Sequence, residues 1–511
     1  MSLLRAVATV GGFTMMSRVL GFVRDVIVAA VLGAGPLADA FFVAFKLPNF
    51  LRRLFAEGAF NAGFVPLFAR TLEGEGREEA KRFAEEAQAV QLTVLLIVVL
   101  AAWLFMPAVI RVLAPGFDPD SVQYGAVVEM TRITMPYILF ISLVALQSGV
   151  LNSLGRFAPP AASPIVLNIT LIAAATVFLP LFENAAYALA WGVFAAGVLQ
   201  WIWLAYSCHR AGLSIGLRWP RITDRVKRLF ALILPGVVGA GAAQFNLIMN
   251  DVVFASFLPA GSISWLYYAD RLNQLPLGVI GVAVGTALLP LFSRQLKAGD
   301  AQGAAHSLNR GIETALLLTL PAAVALIVLA TPIIGTLFER GAFGPEDTHQ
   351  SARALHMFAL GLPAFVLIKV LAPGFFARED TVTPVRIAIA CMLANVVIAF
   401  ILIWPLKHVG LALATSISNW VNALLLGIFL YRRGFLSPDA RLHRFLPRLL
   451  AACAIMGIAL VPLPGLSAQL PDIISLAITI ALGGAVFFVS AHLLGVVSLA
   501  DLRRRLRRSA S

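Results

Sequence analysis

The chain has 511 residues, of which 60% are hydrophobic and only 13% charged, with a mean hydropathy of +0.88 and a formal net charge of +13. Soluble domains carry about 25% charged residues, so the composition excludes a soluble protein with an anchor and points to an all-α polytopic membrane protein. In such a chain the positive balance reflects basic cytoplasmic loops rather than a nucleic-acid partner.

The first apolar segment runs from about Val7 to Leu32, long enough to span a bilayer. It is too long and too charged for a cleavable signal, because it contains Ser17-Arg18-Val19-Leu20-Gly21-Phe22-Val23-Arg24-Asp25. A guanidinium stays protonated at physiological pH and costs at least roughly 2.5–3.5 kcal/mol at bilayer depth. Arg18 and Arg24 therefore each need a partner, a water-filled cavity or an anionic ligand. They lie roughly 120° apart around an ideal helix. Asp25 pairs with Arg24 either as an orienter of a binding cation or as a purely structural partner.

The second segment carries Asp39, Lys46 and Arg53 at seven-residue spacing, joined by Asn49, Arg52 and Glu57. That spacing puts a polar stripe on an otherwise apolar helix, and the stripe is expected to line a cavity. The alternative is that Arg52, Arg53 and Glu57 snorkel at the cytoplasmic end. Twelve further apolar segments follow, centred near residues 100, 140, 170, 198, 243, 280, 320, 363, 394, 420, 455 and 485. The count predicts about fourteen transmembrane helices. Arg132, three residues after Glu129, reads as an interfacial pair with it. On the seventh segment Asp251, with Asn246 and Asn250, offers oxygens to a small cation, and Asn395 and Thr415 lie at compatible depths on the eleventh and twelfth. The alternative for this set is polar glue between helices. Asp270 and Arg271 lie on the eighth segment and Lys369 on the tenth.

Of the 39 lysines and arginines, 27 fall at the termini or in alternate connections, 4 in the other loops and 8 inside segments. The positive-inside rule then places both termini in the cytoplasm. The three cysteines form no disulfide or metal pattern, no histidine pair suggests a ligand set, and no G-x-x-x-x-G-K-[ST] motif is present. Direct ATP use is thus not expected, and an ion gradient or membrane potential is left.

An internal repeat organises the segments. Pro66-Leu67-Phe68-Ala69-Arg70 recurs as Pro290-Leu291-Phe292-Ser293-Arg294, and Ala188-Leu189-Ala190 as Ala412-Leu413-Ala414, both 224 residues on. Pro160 and Pro384 share the offset, and Gly33-Ala34-Gly35 matches Pro259-Ala260-Gly261 at 226. Each repeat holds six spans, so the halves share one orientation, as in the parallel-repeat transporters with a site between lobes. The expected organisation is 1–222 (N-lobe, spans 1–6), 223–437 (C-lobe, spans 7–12) and 438–511 (spans 13 and 14 with a basic tail). A membrane cavity richer in arginine than in acids favours an anionic substrate, since Arg18, Arg24, Arg52 and Arg271 are planar forks suited to phosphate oxygens.

The runs from Ser17 to Asp25, Asp39-Ala40-Phe41-Phe42-Val43-Ala44-Phe45-Lys46-Leu47-Pro48-Asn49, Leu51-Arg52-Arg53-Leu54-Phe55-Ala56-Glu57-Gly58-Ala59-Phe60, Tyr267-Tyr268-Ala269-Asp270-Arg271-Leu272 and Lys369-Val370-Leu371-Ala372-Pro373-Gly374-Phe375 closely resemble the MurJ (MviN) lipid II flippases of bacteria. The resemblance covers nearly the whole chain. It implies the multidrug/oligosaccharidyl-lipid/polysaccharide (MOP) exporter fold, with spans 13 and 14 forming a groove for a polyprenyl tail. It further implies a non-enzymatic flippase of the bacterial inner membrane, moving the lipid-linked peptidoglycan precursor between leaflets as a monomer. Arg18, Arg24, Asp25, Asp39, Asn49, Arg52, Arg53, Glu57, Asp270 and Arg271 are then the expected substrate-binding set, with the Arg24-Asp25-Arg271 group on the pyrophosphate. No cofactor is implied beyond a sodium ion, for which Asp251, Asn395 and Thr415 are the expected ligands. Cys391, one turn before Asn395, is a poor ligand for a hard cation. The competing readings are a flippase for another polyprenyl-pyrophosphate glycan, an ion-coupled exporter of small molecules, and a membrane scaffold without transport.

Overall fold

The computed structural model describes residues 3–55, 59–466 and 469–497. Among these, side chains are described except at 3–7, 54, 55, 59, 62, 235–243, 246, 247, 279, 282–287 and 466. Every regular element among the described residues is helical. The chain divides into two compact units, one of residues 1–264 with 340–343, the other of 265–339 with 344–511.

The first unit contains α1 (Leu3–Leu32), α2 (Pro36–Phe55), α3 (Ala59–Gly74), α4 (Arg77–Leu104), α5 (Met106–Leu113), α6 (Val122–Thr134), α7 (Tyr137–Ser153), α8 (Ala158–Thr176), α9 (Ala185–Arg210) and α10 (Asp224–Ile248). A π-helical turn, Met249–Phe254, continues α10. The second unit takes most of α11 (Ser262–Pro276) and then α12 (Val282–Lys297), α13 (Ala301–Val328), α14 (Ala330–Phe338), α15 (Pro345–Phe376), α16 (Val382–Leu406), α17 (His408–Arg432), α18 (Ala440–Leu460), α19 (Leu463–Leu466) and α20 (Asp472–Leu493).

The helix bounds reproduce the repeat. α4 and α13 are offset by 224 residues at both ends, α8 and α16 begin 224 apart, and α2 and α11 begin 226 apart. Core residues follow the same register. Phe68 and Phe292 are both fully buried, the first stacked 5.5 Å from Phe64 and the second packed among Leu308, Val370 and Phe375. Residues 223–264, which the repeat assigns to the C-lobe, pack with the first unit.

Ten described helical stretches are long and apolar enough to cross a membrane: 77–104, 122–153, 158–176, 185–210, 301–328, 345–376, 382–406, 408–432, 440–465 and 472–493. They correspond to predicted spans 3–6 and 9–14. The other four predicted spans are also helical, and six of the eight intrasegment lysines and arginines lie on them, with Arg132 and Lys369 on the fourth and tenth. α16 shows why lipid is the solvent. Val385, Ile389, Leu393, Val397 and Trp404 recur along one exposed face, an apolar stripe far larger than a monomer leaves in water.

Polar side chains fix the helix starts. Asn184, Asp300 and Asp439 each accept a backbone N–H from the first turn of α9, α13 and α18. Where α1 ends, Gly33 has φ +63°, and a Cβ there would lie 2.4 Å from the Ala342 carbonyl oxygen. The segment 340–343 docks at this point, with the Ala342 N–H donating to the Ala30 carbonyl at 2.7 Å.

Candidate functional site

The charges of α1 fall into two environments. Arg24 is 7% and Asp25 3% exposed. Arg24 donates from Nε (3.0 Å) and Nη2 (2.7 Å) to Asp25 Oδ1, and from Nη1 to Asn168 Oδ1 at 3.0 Å. Asn168, on α8, is itself oriented by donating to the Ser17 carbonyl at 2.9 Å. The arginine is thus held from two helices in one geometry, and the pair is close to neutral. Arg18 is exposed and makes no side-chain hydrogen bond among the described residues. The predicted 120° separation of the two guanidinia is therefore a separation between a buried cation and an open one.

The stripe on α2 meets protein groups at three positions. Asp39, 1% exposed, accepts the backbone N–H of Gly261 (2.7 Å), the backbone N–H of Ser264 (2.8 Å) and the Ser264 hydroxyl (2.6 Å). It acts as a cap on the start of α11, satisfying donors that the helix itself leaves free. Seven residues on, Lys46 Nζ lies 3.0 Å from Asp251 Oδ2. Seven further, Arg53 Nη1 donates to Gln244 Oε1 at 3.2 Å. Partner numbers fall as stripe numbers rise, so α2 and the segment 244–264 run antiparallel with a polar seam between them. That seam meets the stripe at each of these three positions, buried at Asp39 and still exposed at Arg53. A charged helix face is stabilised equally well by complementary protein groups, and sequence alone does not separate the two cases.

Asn49 donates to the Phe45 carbonyl within its own helix at 2.9 Å and accepts from Arg52 Nε at 3.2 Å. Glu57 lies outside the described residues, as does the side chain of Asn246. In the second unit Arg271 donates from Nη2 to the Tyr267 hydroxyl at 2.9 Å, and its guanidinium carbon sits 4.7 Å from the Tyr267 ring centroid. Asp270 accepts from Gln274 one turn along. Lys369 lies over the Phe365 ring at 5.1 Å.

Two of the expected sodium ligands already hold partners. Asp251 belongs to the first unit, Asn395 and Thr415 to the second. The Asp251 carboxylate already holds an ammonium. The Thr415 hydroxyl donates to the Leu411 carbonyl of its own helix at 3.1 Å. Buried Cys391 accompanies buried Asn395 on α16.

Sequence reasoning also misassigned Arg132. Its Nε donates to the Trp103 carbonyl at 3.2 Å, and its guanidinium lies 5.2 Å from the Trp103 ring centroid, while Glu129 accepts from the Tyr187 hydroxyl. The last carbonyls of α4 have no intrahelical partner, so a cation settles there. Asn168 was missed outright. A lone asparagine on an apolar helix carries no signal until the arginine it meets, 144 residues earlier, is known.

The family model described as lipid II flippase MurJ matches residues 28–482. The chain is 45% identical to the "Probable lipid II flippase MurJ" of Rhizobium tropici, covering 99% of this chain and 97% of that relative. It is 39% identical to the "Lipid II flippase MurJ" of Burkholderia cenocepacia, over 89% of each. Among solved structures, "Lipid II flippase MurJ, inward closed conformation" superposes with a TM-score of 0.78 at 27% identity, covering 95% of this chain and 98% of the other. An inward-facing multidrug resistance MATE transporter of the MOP superfamily gives 0.68 at 16% identity, a likeness of fold alone.

Proposed function

The chain belongs to the lipid II flippase MurJ family, and from that premise we propose that it carries the undecaprenyl-pyrophosphate-linked peptidoglycan precursor from the cytoplasmic to the periplasmic leaflet by alternating access. It is a transporter of the multi-pass inner-membrane class, not an enzyme. The observation that carries the reading is the full-length family match, supported by guanidinium groups held on α1 and α11 of an otherwise strongly apolar chain. Both termini lie in the cytoplasm on this reading, as the 27-to-4 division of basic residues favours.

The chemistry follows from the charges. A diphosphate brings several strong acceptor oxygens, and arginine forks recognise them bidentately. Arg18 is an exposed guanidinium of the first unit, and Arg24 is a cation pre-oriented by Asp25 and Asn168. Arg271, braced by Tyr267, is a further guanidinium suited to phosphate oxygens. Binding of the anion offsets charge that otherwise opposes closure, and a ligand that binds one state better shifts the population toward it. The isoprenoid tail remains in lipid beside α18 and α20. The protein acts as a monomer.

The test is a leaflet-access assay with purified protein in proteoliposomes containing lipid II. Protein-dependent exposure of the headgroup to an external probe is expected, together with loss in Arg271→Ala. A polyprenyl-pyrophosphate carrying a different glycan serves as the second substrate. Equal flipping of both would replace lipid II by the wider substrate class, and no flipping of either would overturn the reading.

A further inference from the structure

The Lys46–Asp251 pair is not used by the transport reading, and its details point elsewhere. Lys46 Nζ lies 3.0 Å from Asp251 Oδ2 and 3.5 Å from the Asp251 backbone carbonyl oxygen. Both oxygens sit in the π-helical turn Met249–Phe254. Such turns interrupt the i→i−4 pattern and recur at functional sites. The preceding residue, Asn250, is 4% exposed, and its Oδ1 has no hydrogen-bond partner among the described residues. Asp251 therefore presents a carboxylate and a main-chain carbonyl to one point, and the residue beside it carries a buried amide oxygen without a hydrogen-bond partner among the described residues. All are the hard oxygen donors that alkali and alkaline-earth cations require. What stands against the carboxylate and the carbonyl is an ammonium delivered by α2.

We infer that Lys46 is a tethered cation that occupies the cation position at Asp251, so that a dissolved sodium or potassium ion is not bound there. The ammonium is held by its own chain, so it competes with bulk ions at high effective concentration. An alkali ion that displaced it would leave Lys46 uncompensated in a membrane helix. The substitution also has a mechanistic consequence. A resident ammonium cannot be drawn across the membrane, so this carboxylate does not couple transport to a sodium gradient. The inference goes beyond the flippase reading and does not depend on it.

The experiment uses the full-length protein in detergent micelles and the alkali ion alone as probe. Thermal unfolding is followed in NaCl, KCl and choline chloride at equal ionic strength. Wild type and Lys46→Arg are expected to give the same midpoint in all three salts. Lys46→Met is expected to gain an upward shift in an alkali salt relative to choline, because a ligand that binds only the native state stabilises it. That shift is expected to vanish in Lys46→Met/Asp251→Asn. A sodium-specific shift in wild type that Asp251→Asn removes overturns the inference, as does a folded Lys46→Met protein indifferent to the salt. If Lys46→Met does not accumulate, the wild-type comparison decides alone: identical midpoints support the tethered cation and a sodium-specific rise refutes it. Because the readout is unfolding, its outcome is separate from whether lipid II is flipped.

Discussion

Replacing Arg24 by alanine separates two roles that its geometry combines. The side chain is 7% exposed and its partner Asp25 3%, and the substitution removes two hydrogen bonds to Asp25 and one to Asn168. Breaking a buried pair by deleting one member costs about 3–5 kcal/mol, because the other charge is left without compensation. At about 1.4 kcal/mol per tenfold, that lowers the folded-to-unfolded ratio by two orders of magnitude or more. Replacing the carboxylate as well, in Arg24→Ala/Asp25→Asn, removes the charge whose ion-pair partner is gone and should recover most of that loss. Thermal unfolding of purified protein measures the first quantity, and lipid II flipping at matched protein density measures the second. The expected pattern is a low midpoint and no flipping in the single variant, then a near-wild-type midpoint and still no flipping in the double. Wild-type flipping by the double variant would falsify the binding role and leave Arg24 as a structural partner of Asp25. An unshifted midpoint in the single variant would refute the energetic argument.

Three further outcomes follow. Asp39→Ala orphans the Gly261 and Ser264 N–H groups and the Ser264 hydroxyl; at about 1–3 kcal/mol per buried unsatisfied group, a loss on the order of 3 kcal/mol and faster amide exchange at Gly261 and Ser264 are expected, with unchanged exchange refuting the capping role. Gly33→Ala forces a side chain into a left-handed conformation at a cost of about 1–2 kcal/mol and drives its Cβ to 2.4 Å from the Ala342 oxygen, so the unfolding midpoint should fall, whereas an unchanged one shows that 340–343 yields freely. In the loop before α16, the Thr383 backbone N–H, then the Thr383 hydroxyl and Arg433, hold the Asp380 carboxyl down from 3.8 to about 2. A depressed carboxyl stabilises the fold above its unfolded value and loses that contribution as pH falls through the folded one. Asp380→Asn should therefore lower the midpoint at neutral pH, with the gap to wild type closing between pH 3.8 and about 2; a gap independent of pH would exclude the carboxylate as its source.

The repeat was legible because helix length and spacing are written locally. The 224-residue offset between α4 and α13 could be anticipated from two short motifs elsewhere in the repeat. The α2 stripe was legible for the same reason, since seven-residue spacing fixes one helix face. What the stripe meets was not legible. Gln244, Asp251 and Ser264 lie 191 to 225 residues away, and nothing local to Asp39 distinguishes a carboxylate that awaits a substrate from one that awaits two backbone amides. The π-helical turn at Met249–Phe254 escaped notice because one extra residue in a turn leaves apolar periodicity almost unchanged. Arg132 shows the opposite failure: its neighbour Glu129 made a convincing pair in sequence, but the carbonyl at the end of α4 had no side-chain signature to compete with it.

The seam between α2 and the segment 244–264 also sets an order of events during synthesis. Asp39 is made 225 residues before Ser264. At about 5–20 residues per second, its carboxylate waits roughly 11 to 45 s for its donors, and Lys46 waits nearly as long for Asp251, 205 residues on. Neither charge can rest against lipid for that time at low cost. The second helix must therefore linger in an aqueous or proteinaceous shelter while five more spans are made, and it can pass fully into the bilayer only with the seventh. On this order of synthesis membrane entry is not sequential, and the segment 244–264 acts as the release signal for one of the earliest helices.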